Sequence, residues 1–368
     1  IQSIREGIRE SLNIVAVKTE TVITPQLGYD YLLNFGFTTL TDGVWLKNAN
    51  GEEKFYTDVN QTMALGGLTN GVTPFELTAA YAAIANLGTY MEPKLYSRVT
   101  NTDGDVLLDN TVPTSKQVIK ETTAYLLTDA MVDVVTTGTG AACNFNRNMA
   151  IAGKTGTTTD YWDVWFAGYT PYYTCASWAG YDNNIEMSRS SGNREDHVAR
   201  DLWRAVMSRI HENLANEQFT VPQGIVNASI CTLSGKLPIP GICDNTTRTE
   251  IFAEGTVPTE NCTVHYRGIL CDYDHIPACP NCPFQVEGTC DLPLQEDPAL
   301  LSGSSGMVVN PDGTVTPPSE SIRCQHDDAF YANPDYEAII DAQSAEIEQR
   351  RIDSGFYDHP EDDEEDEE

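Results

Sequence analysis

The 368 residues carry 22 Lys plus Arg against 54 Asp plus Glu, a formal charge of −32. So acidic a chain repels nucleic acid and anionic membrane surfaces, which excludes DNA and RNA as partners. The length suits two domains, or one large domain with a tail.

The chain opens at Ile1 in the middle of a helical pattern, with neither a basic n-region nor an apolar h-region. We read this as an incomplete beginning. No apolar run reaches the roughly eighteen residues that a membrane helix needs. Ile4, Ile8, Leu12 and Val15 recur at helical spacing and predict a helix over Ser3–Lys18, with Ser11-Leu12-Asn13 inside it. A further helix is expected around Tyr29 to Phe35, within a mixed stretch that runs to Thr57. Thr73-Pro74-Phe75-Glu76 is a helix start: Thr73 can cap, Pro74 suits the first helical position, and Glu76 stands where a capping box needs it. Leu77, Ala80, Tyr81, Ile84 and Leu87 then line one face, and Gly88 ends the helix. Arg98 to Leu107 reads as a hairpin around Asp103-Gly104. Thr122 to Val135 reads as an amphipathic helix, closed by Thr137-Gly138-Thr139-Gly140.

Ala150, Ile151 and Ala152 form a brief apolar run and read as a buried strand. Lys154, Thr155, Gly156 and Thr157 continue it with an ammonium, two hydroxyls and bare backbone. Alternate strand residues share a face, so Thr155 and Thr157 point one way and Lys154 and Gly156 the other. Such a ledge suits a carboxylate: hydroxyl donors, a nearby cation, and a glycine against which another chain can lie. A phosphate loop is the weaker reading, because Asn148 stands where G-x-x-x-x-G-K-[ST] needs its first glycine. Asp163 to Tyr169 and Thr174 to Tyr181 then read as antiparallel strands joined at Thr170-Pro171. Trp165, Phe166 and Trp178 are expected in the core, and Asp163 is expected to pair structurally. Val198 to Leu214 closes the segment as a helix, with Leu202, Val206 and Ile210 on one face and Trp203 and Met207 beside it. The pattern predicts an α+β fold, an antiparallel sheet flanked by helices.

After Asn216 the texture changes to cysteine, proline and glycine. Eight of the ten cysteines stand here: Cys231, Cys243, Cys262, Cys271, Cys279, Cys282, Cys290 and Cys324. The even count favours disulfides in an exported protein. Zinc is the less favoured alternative. Cys279-Pro-Asn-Cys282 has knuckle spacing, with Cys262, His265, Cys271, His275 and Cys290 as further ligands, but a second C-x-x-C pair is missing. Leu301 to Gly306 has a linker composition, Ala338 to Ile352 regains helical periodicity, and Glu361 to Glu368 is wholly acidic and expected to be disordered.

Gly71-Val-Thr-Pro-Phe-Glu-Leu-Thr-Ala-Ala-Tyr81, Lys154-Thr-Gly-Thr-Thr158, Asp163-Val-Trp-Phe-Ala-Gly-Tyr-Thr-Pro171 and Trp178-Ala-Gly-Tyr-Asp182 form a long ordered series. Together they resemble the C-terminal transpeptidase region of the class A, bifunctional penicillin-binding proteins, over roughly Ile1 to Leu214. Lys-Thr-Gly is that family's third motif. For its second motif, S-x-N, both Ser11-Leu12-Asn13 and Ser191-Gly192-Asn193 match. The order of the motifs selects the first, and Ser191 reads as a plain loop. The first motif, S-x-x-K, has no match: no lysine of the chain has a serine three positions before it.

The resemblance implies the fold shared by penicillin-binding proteins and serine β-lactamases, incomplete here. Residues 1–215 would be a transpeptidase domain without its S-x-x-K segment. Residues 216–295 would be an irregular cysteine-rich extension like that of some Gram-positive members, and 296–368 a mostly flexible linker, short helix and acidic tail. It further implies cross-linking of peptidoglycan by serine-type D,D-transpeptidation without a cofactor. The partners would be stem peptides and β-lactam antibiotics. The nucleophile, a glycosyltransferase domain and a membrane anchor are expected upstream, and the location is the extracytoplasmic face of the cell membrane. Ser11, Asn13 and Lys154 would be catalytic, and Thr155, Gly156 and Thr157 would bind substrate. A D,D-carboxypeptidase or β-lactamase, and a peptide-binding remnant that cannot react, are the alternatives.

Overall fold

The computed structural model describes residues 3–47, 50–292, 308–309, 315–316 and 323–354. The linker at 301–306 and the acidic run at 361–368 lie outside them. Two compact units are present, one within Gln2–Val226 and Ile251–Thr256, the other within Asn227–Glu250 and Val257–Glu368. None of the helices among the described residues is long and apolar enough to cross a membrane.

The first unit opens with helices α1 (Ile4–Arg9), α2 (Asn13–Ile23) and α3 (Pro25–Asn34). The single helix expected over Ser3–Lys18 is therefore broken, and Ser11 lies in the break with φ of 57°. The break is a Schellman turn: the Leu12 N–H reaches Gly7 O at 2.9 Å and the Ser11 N–H reaches Ile8 O at 3.3 Å. Apolar periodicity runs through the turn because Ile8, Leu12 and Val15 are all half-buried on either side of it, whereas Ile4 is exposed. No glycine marks the turn, because the left-handed position is filled by serine. Gly7 permits the close contact of the two helices, since a Cβ there would lie 2.5 Å from Val15 Cγ1.

Strands β1 (Val44–Lys47) and β2 (Glu53–Tyr56) pair antiparallel before α4 (Pro74–Ala85). The capping box forms as the sequence predicts, with reciprocal bonds between Thr73 and Glu76. Next come β3 (Thr89–Met91), β4 (Arg98–Thr100), β5 (Val106–Asp109) and β6 (Ser115–Gln117), with β3 on β6 and β4 on β5, the latter being the predicted hairpin. Helix α5 spans Glu121–Thr136.

The central sheet has the order β7 (Ala152–Thr157), β8 (Asp163–Tyr169), β9 (Thr174–Gly180), antiparallel throughout, with Lys154 opposite Ala167 and Trp165 opposite Trp178. Short strands β10 (Arg189–Ser190) and β11 (Asn193–Arg194) pair before α6 (Val198–Ile210). Alternation along β8 sends Tyr169 to one face and Val164 and Phe166 to the other. Tyr169 and Ala152 pack with Ile84 of α4 and with Ala124 and Met131 of α5. Phe166 packs with Trp203 and Met207 of α6, and Val164 with Ala199. The Phe166 and Trp203 rings meet edge to face at 4.8 Å. Burying Phe166 contributes about 3 kcal/mol. The Trp203 indole N–H is satisfied by Cys175 O at 2.9 Å.

Two core assignments change. Ala199, Trp203 and Met207, not Leu202, Val206 and Ile210, are the buried residues of α6; the latter three are exposed. The sheet meets the stripe of Ala199, Trp203 and Met207, one residue round the helix. Phe166 is core, whereas Trp165 is only half-buried and Trp178 is 40 % exposed and donates to Asp163 Oδ1 at 2.9 Å. That bond gives Asp163 the structural pairing expected of it.

The second unit is built on paired strands. β12 (Ile225–Cys231) pairs with β13 (Thr247–Ala253), β14 (His265–Cys271) with β15 (Gln285–Asp291), and β16 (Val308–Val309) with β17 (Val315–Thr316). Helices α7 (Asp328–Tyr331) and α8 (Tyr336–Asp353) follow.

Candidate active site

The strand β7 forms one edge of the central sheet, and the turn between α1 and α2 lies against it. Lys154 Nζ donates to Ser11 Oγ at 2.7 Å and to Thr155 O at 3.1 Å. The left-handed backbone at Ser11 is what aims its hydroxyl. A non-glycine residue there costs roughly 1–2 kcal/mol, an expense that concentrates at functional positions. Burial pulls the Lys154 ammonium down to about 8 from 10.5. At neutral pH it remains largely charged, yet it can give up its proton within reach of ordinary conditions.

A cavity of about 400 Å³ opens beside this pair. Of the site residues expected from the sequence, Ser11, Thr155, Gly156 and Thr157 line it, and Lys154 meets it only through Ser11. Asn13 does not; it stands exposed at the first turn of α2. Ser191-Gly192-Asn193, the rival S-x-N, sits at the exposed turn between β10 and β11.

Sequence reasoning missed several lining groups. Thr139 Oγ1 lies 2.9 Å from Thr155 Oγ1, so that hydroxyl is oriented from below. Thr139 is itself fixed: its N–H reaches Arg9 O at 3.3 Å, and its carbonyl accepts from Arg200 at 3.5 Å. The only sign of this was the Thr-Gly-Thr-Gly run, which reads equally well as a helix stop. Arg194, Asp196, His197 and Arg200 line the opposite wall. Arg194 clamps Asp196 with two bonds of 2.8 and 2.7 Å. Those bonds hold the Asp196 carboxyl below its usual range against the effect of burial, with the charges of His197, Arg194 and Arg200 assisting. Tyr161 closes the rim, under the Arg189 guanidinium at 4.2 Å. Asp160 and Tyr161 are both left-handed, at φ of 58° and 54°.

In a chain of net charge −32, the cavity gathers Arg194 and Arg200 around threonine hydroxyls, with Lys154 bonded to the lining Ser11. This arrangement can hold a carboxylate and pass a proton between an ammonium and a serine hydroxyl. Elsewhere, the ten cysteines are free thiols, and six of them gather by threes about a histidine, in groups able to hold a metal.

The profile of the penicillin binding protein transpeptidase domain matches residues 1–208, and that of the penicillin-binding protein 1A C-terminal domain matches 221–267. The chain is 34 % identical over 268 residues to penicillin-binding protein 1A of Clostridium botulinum, covering 72 % of this chain and 30 % of that protein. It is 32 % identical over 270 residues to penicillin-binding protein 1A of Clostridium tetani, covering 72 % of this chain and 32 % of the relative. The chain thus spans about a third of the length of the curated relatives it matches. Among solved structures, penicillin-binding protein 1A of Haemophilus influenzae shares the fold, with a TM-score of 0.57 at 22 % identity over 71 % of this chain and 41 % of that one. PonA1 of Mycobacterium tuberculosis, in complex with penicillin V, has a TM-score of 0.51 at 25 % identity, over 60 % of this chain and 59 % of that one. With more than half of its residues matched by one family profile, this chain belongs to the penicillin-binding protein transpeptidase family.

Proposed function

We propose that this polypeptide supplies the second and third motifs of a serine D,D-transpeptidase active site that cross-links peptidoglycan. The observation that carries the reading is the 2.7 Å bond from Lys154 to Ser11, two residues far apart in sequence that the family's chemistry requires side by side. Thr155 and Thr157 hydroxyls receive the terminal carboxylate of a D-Ala-D-Ala stem peptide, and the bare backbone at Gly156 lets the peptide lie along the edge of β7. A serine of an S-x-x-K segment attacks the penultimate carbonyl and loses its proton to a neighbouring base. The Thr157 N–H offers half of an oxyanion hole, a contribution of roughly 3–4 kcal/mol per donor. Ser11 relays a proton to the departing D-alanine amine, and Asn13 steadies the substrate amide or the first-motif lysine. An amine from a second stem then displaces the ester, restoring the serine and forming the cross-link. β-Lactams acylate the same serine on this reading; the similar PonA1 has been solved in complex with penicillin V.

No serine of the 368 residues has the S-x-x-K spacing. On this reading the nucleophile, a glycosyltransferase domain and a membrane anchor would be supplied by upstream polypeptide, as the likeness to penicillin-binding protein 1A implies, and the enzyme would work on the outer face of the cell membrane. Hydrolysis by water in place of the amine is the second reading; the Gly71-Val-Thr-Pro74 segment and the extension, shared with penicillin-binding protein 1A relatives, favour transpeptidation. Fluorescent penicillin tests the assignment. The 368-residue chain takes no covalent label, and the chain extended upstream through its S-x-x-K does. Labelling of the shorter chain would refute the placement of the nucleophile.

A further inference from the structure

The second unit contains the same device twice. β12 ends on Cys231 and β14 on Cys271. The Cys231 N–H bonds Lys236 O and the Cys271 N–H bonds Ile276 O, both at 2.8 Å. Gly235 and His275 donate back to Cys231 O and Cys271 O, again both at 2.8 Å, and both are left-handed, with φ of 70° and 56°. A later segment then returns onto each turn: the Cys262 N–H reaches Leu237 O at 2.7 Å, and the Cys324 N–H reaches Pro277 O at 2.9 Å. Each device ends on a histidine just beyond that cysteine, His265 and His326.

The side chains converge correspondingly. Cys231, Cys243, Cys262 and His265 place their ligand atoms within 4.8 Å of one another, as do Cys271, Cys282, Cys324 and His326, and all eight residues are buried. His265 Nδ1 lies 3.6, 3.3 and 3.2 Å from the sulfurs of Cys231, Cys243 and Cys262. His326 Nδ1 lies 3.7 and 3.8 Å from those of Cys271 and Cys282. A tetrahedral zinc, with bonds of about 2.3 Å to sulfur and about 2.0 Å to nitrogen, sets S···N at about 3.6 Å.

The surroundings fit the same purpose. The far nitrogen of each imidazole has an oxygen partner: Thr246 Oγ1 at 3.4 Å and Asp291 Oδ1 at 3.5 Å for His265, and Gln343 Oε1 at 3.0 Å for His326. Such partners fix the tautomer that turns the Nδ1 lone pair to a metal. Backbone N–H groups of Ile239, Val264, Phe284 and Cys279 point at the sulfurs of Cys243, Cys262, Cys282 and Cys324, at 3.1–3.4 Å. They favour the anionic sulfur that a metal needs. Thiols serving only as apolar filler would not require a shared imidazole, twice, on the same nitrogen.

We propose that this unit binds two structural zinc ions, one held by Cys231, Cys243, Cys262 and His265, the other by Cys271, Cys282, Cys324 and His326. Three soft thiolates and an imidazole select zinc, and four protein ligands leave no open position for catalysis. Binding releases the thiol protons and closes the two cores, because the ligands are themselves core residues. The Cys279–Cys282 knuckle is not the ligand pair: Cys279 donates its thiol to His326 O at 2.8 Å, and its carbonyl, which accepts from the Cys282 N–H at 3.2 Å, is matched in the first device by that of Ile239, which accepts from the Cys243 N–H at 2.9 Å.

The test is elemental analysis of the 368-residue chain, purified under reducing conditions without chelator. Two zinc ions per chain are expected, and Cys279→Ser retains both. Cobalt(II) exchanged into the unaltered chain gives tetrahedral d–d bands with sulfur-to-metal charge transfer. Fewer than two metal ions, an octahedral cobalt spectrum, or disulfides among these cysteines in alkylation mass spectrometry would each overturn the proposal.

Discussion

Lys154 and Ser11 meet at 2.7 Å, the lysine from the edge strand of the central sheet and the serine from a left-handed turn between two helices. Neither position is comfortable by itself: the ammonium is half-buried and the serine backbone is strained. Both features have measurable consequences.

Ser11 occupies the turn position that glycine fills without penalty. Ser11→Gly should therefore stabilise the first unit by up to about 1 kcal/mol while removing the hydroxyl from the site. Urea unfolding of the two proteins side by side checks this. A large loss of stability would mean that the Lys154 bond, not the site, accounts for the strained backbone.

Lys154 holds its proton less tightly in the folded chain, at about 8 against 10.5. Between these values the unfolded chain binds more protons, so the contribution of Lys154 to stability rises as pH rises. The stability difference between the wild type and Lys154→Met should shift in favour of the wild type from pH 8 to 10.5. A difference flat across that window contradicts the burial of the charge.

In a longer form of the protein that carries S-x-x-K, Lys154→Ala should slow penicillin acylation roughly 100-fold or more, the scale of a positioned proton-transfer group. The decline should appear in the acylation rate measured at saturating antibiotic. Thr155→Val should chiefly weaken binding, as its hydroxyl is assigned to the carboxylate.

Glu76 accepts from the N–H and hydroxyl of Thr38 at 2.9 and 2.6 Å, and from those of Thr73 at 3.2 and 2.9 Å. Burial works to raise its carboxyl, but these bonds outweigh it and hold the group below the ordinary carboxylate range. Its stabilisation is complete above the unfolded value and disappears as pH falls through the folded one. Glu76→Ala should cost about 1–3 kcal/mol at pH 7 and much less near pH 3, as read by thermal unfolding across that range. An equal cost at both pH values would assign Glu76 a role in packing alone.

Local chemistry was legible in the sequence. Thr73, Pro74 and Glu76 announced a capped helix because a capping box involves only neighbours in the chain. Asp103-Gly104 announced a hairpin for the same reason. The ordered series from Gly71 to Asp182 identified the family, and the edge strand with its lysine and threonines could be read from their alternation. What the sequence could not supply were contacts made between distant segments. The turn at Ser11 was hidden by apolar periodicity running across it. The Thr139 support of Thr155 and the Arg194–Arg200 wall depend on how a loop and a helix approach the sheet. Counting cysteines favoured pairs, because spacing along the chain says nothing about which sulfurs share an imidazole. Short-range hydrogen bonds and alternation are fixed by covalent neighbours; which thiols surround His265, and which hydroxyl faces Lys154, was decided only when the tertiary fold closed around them.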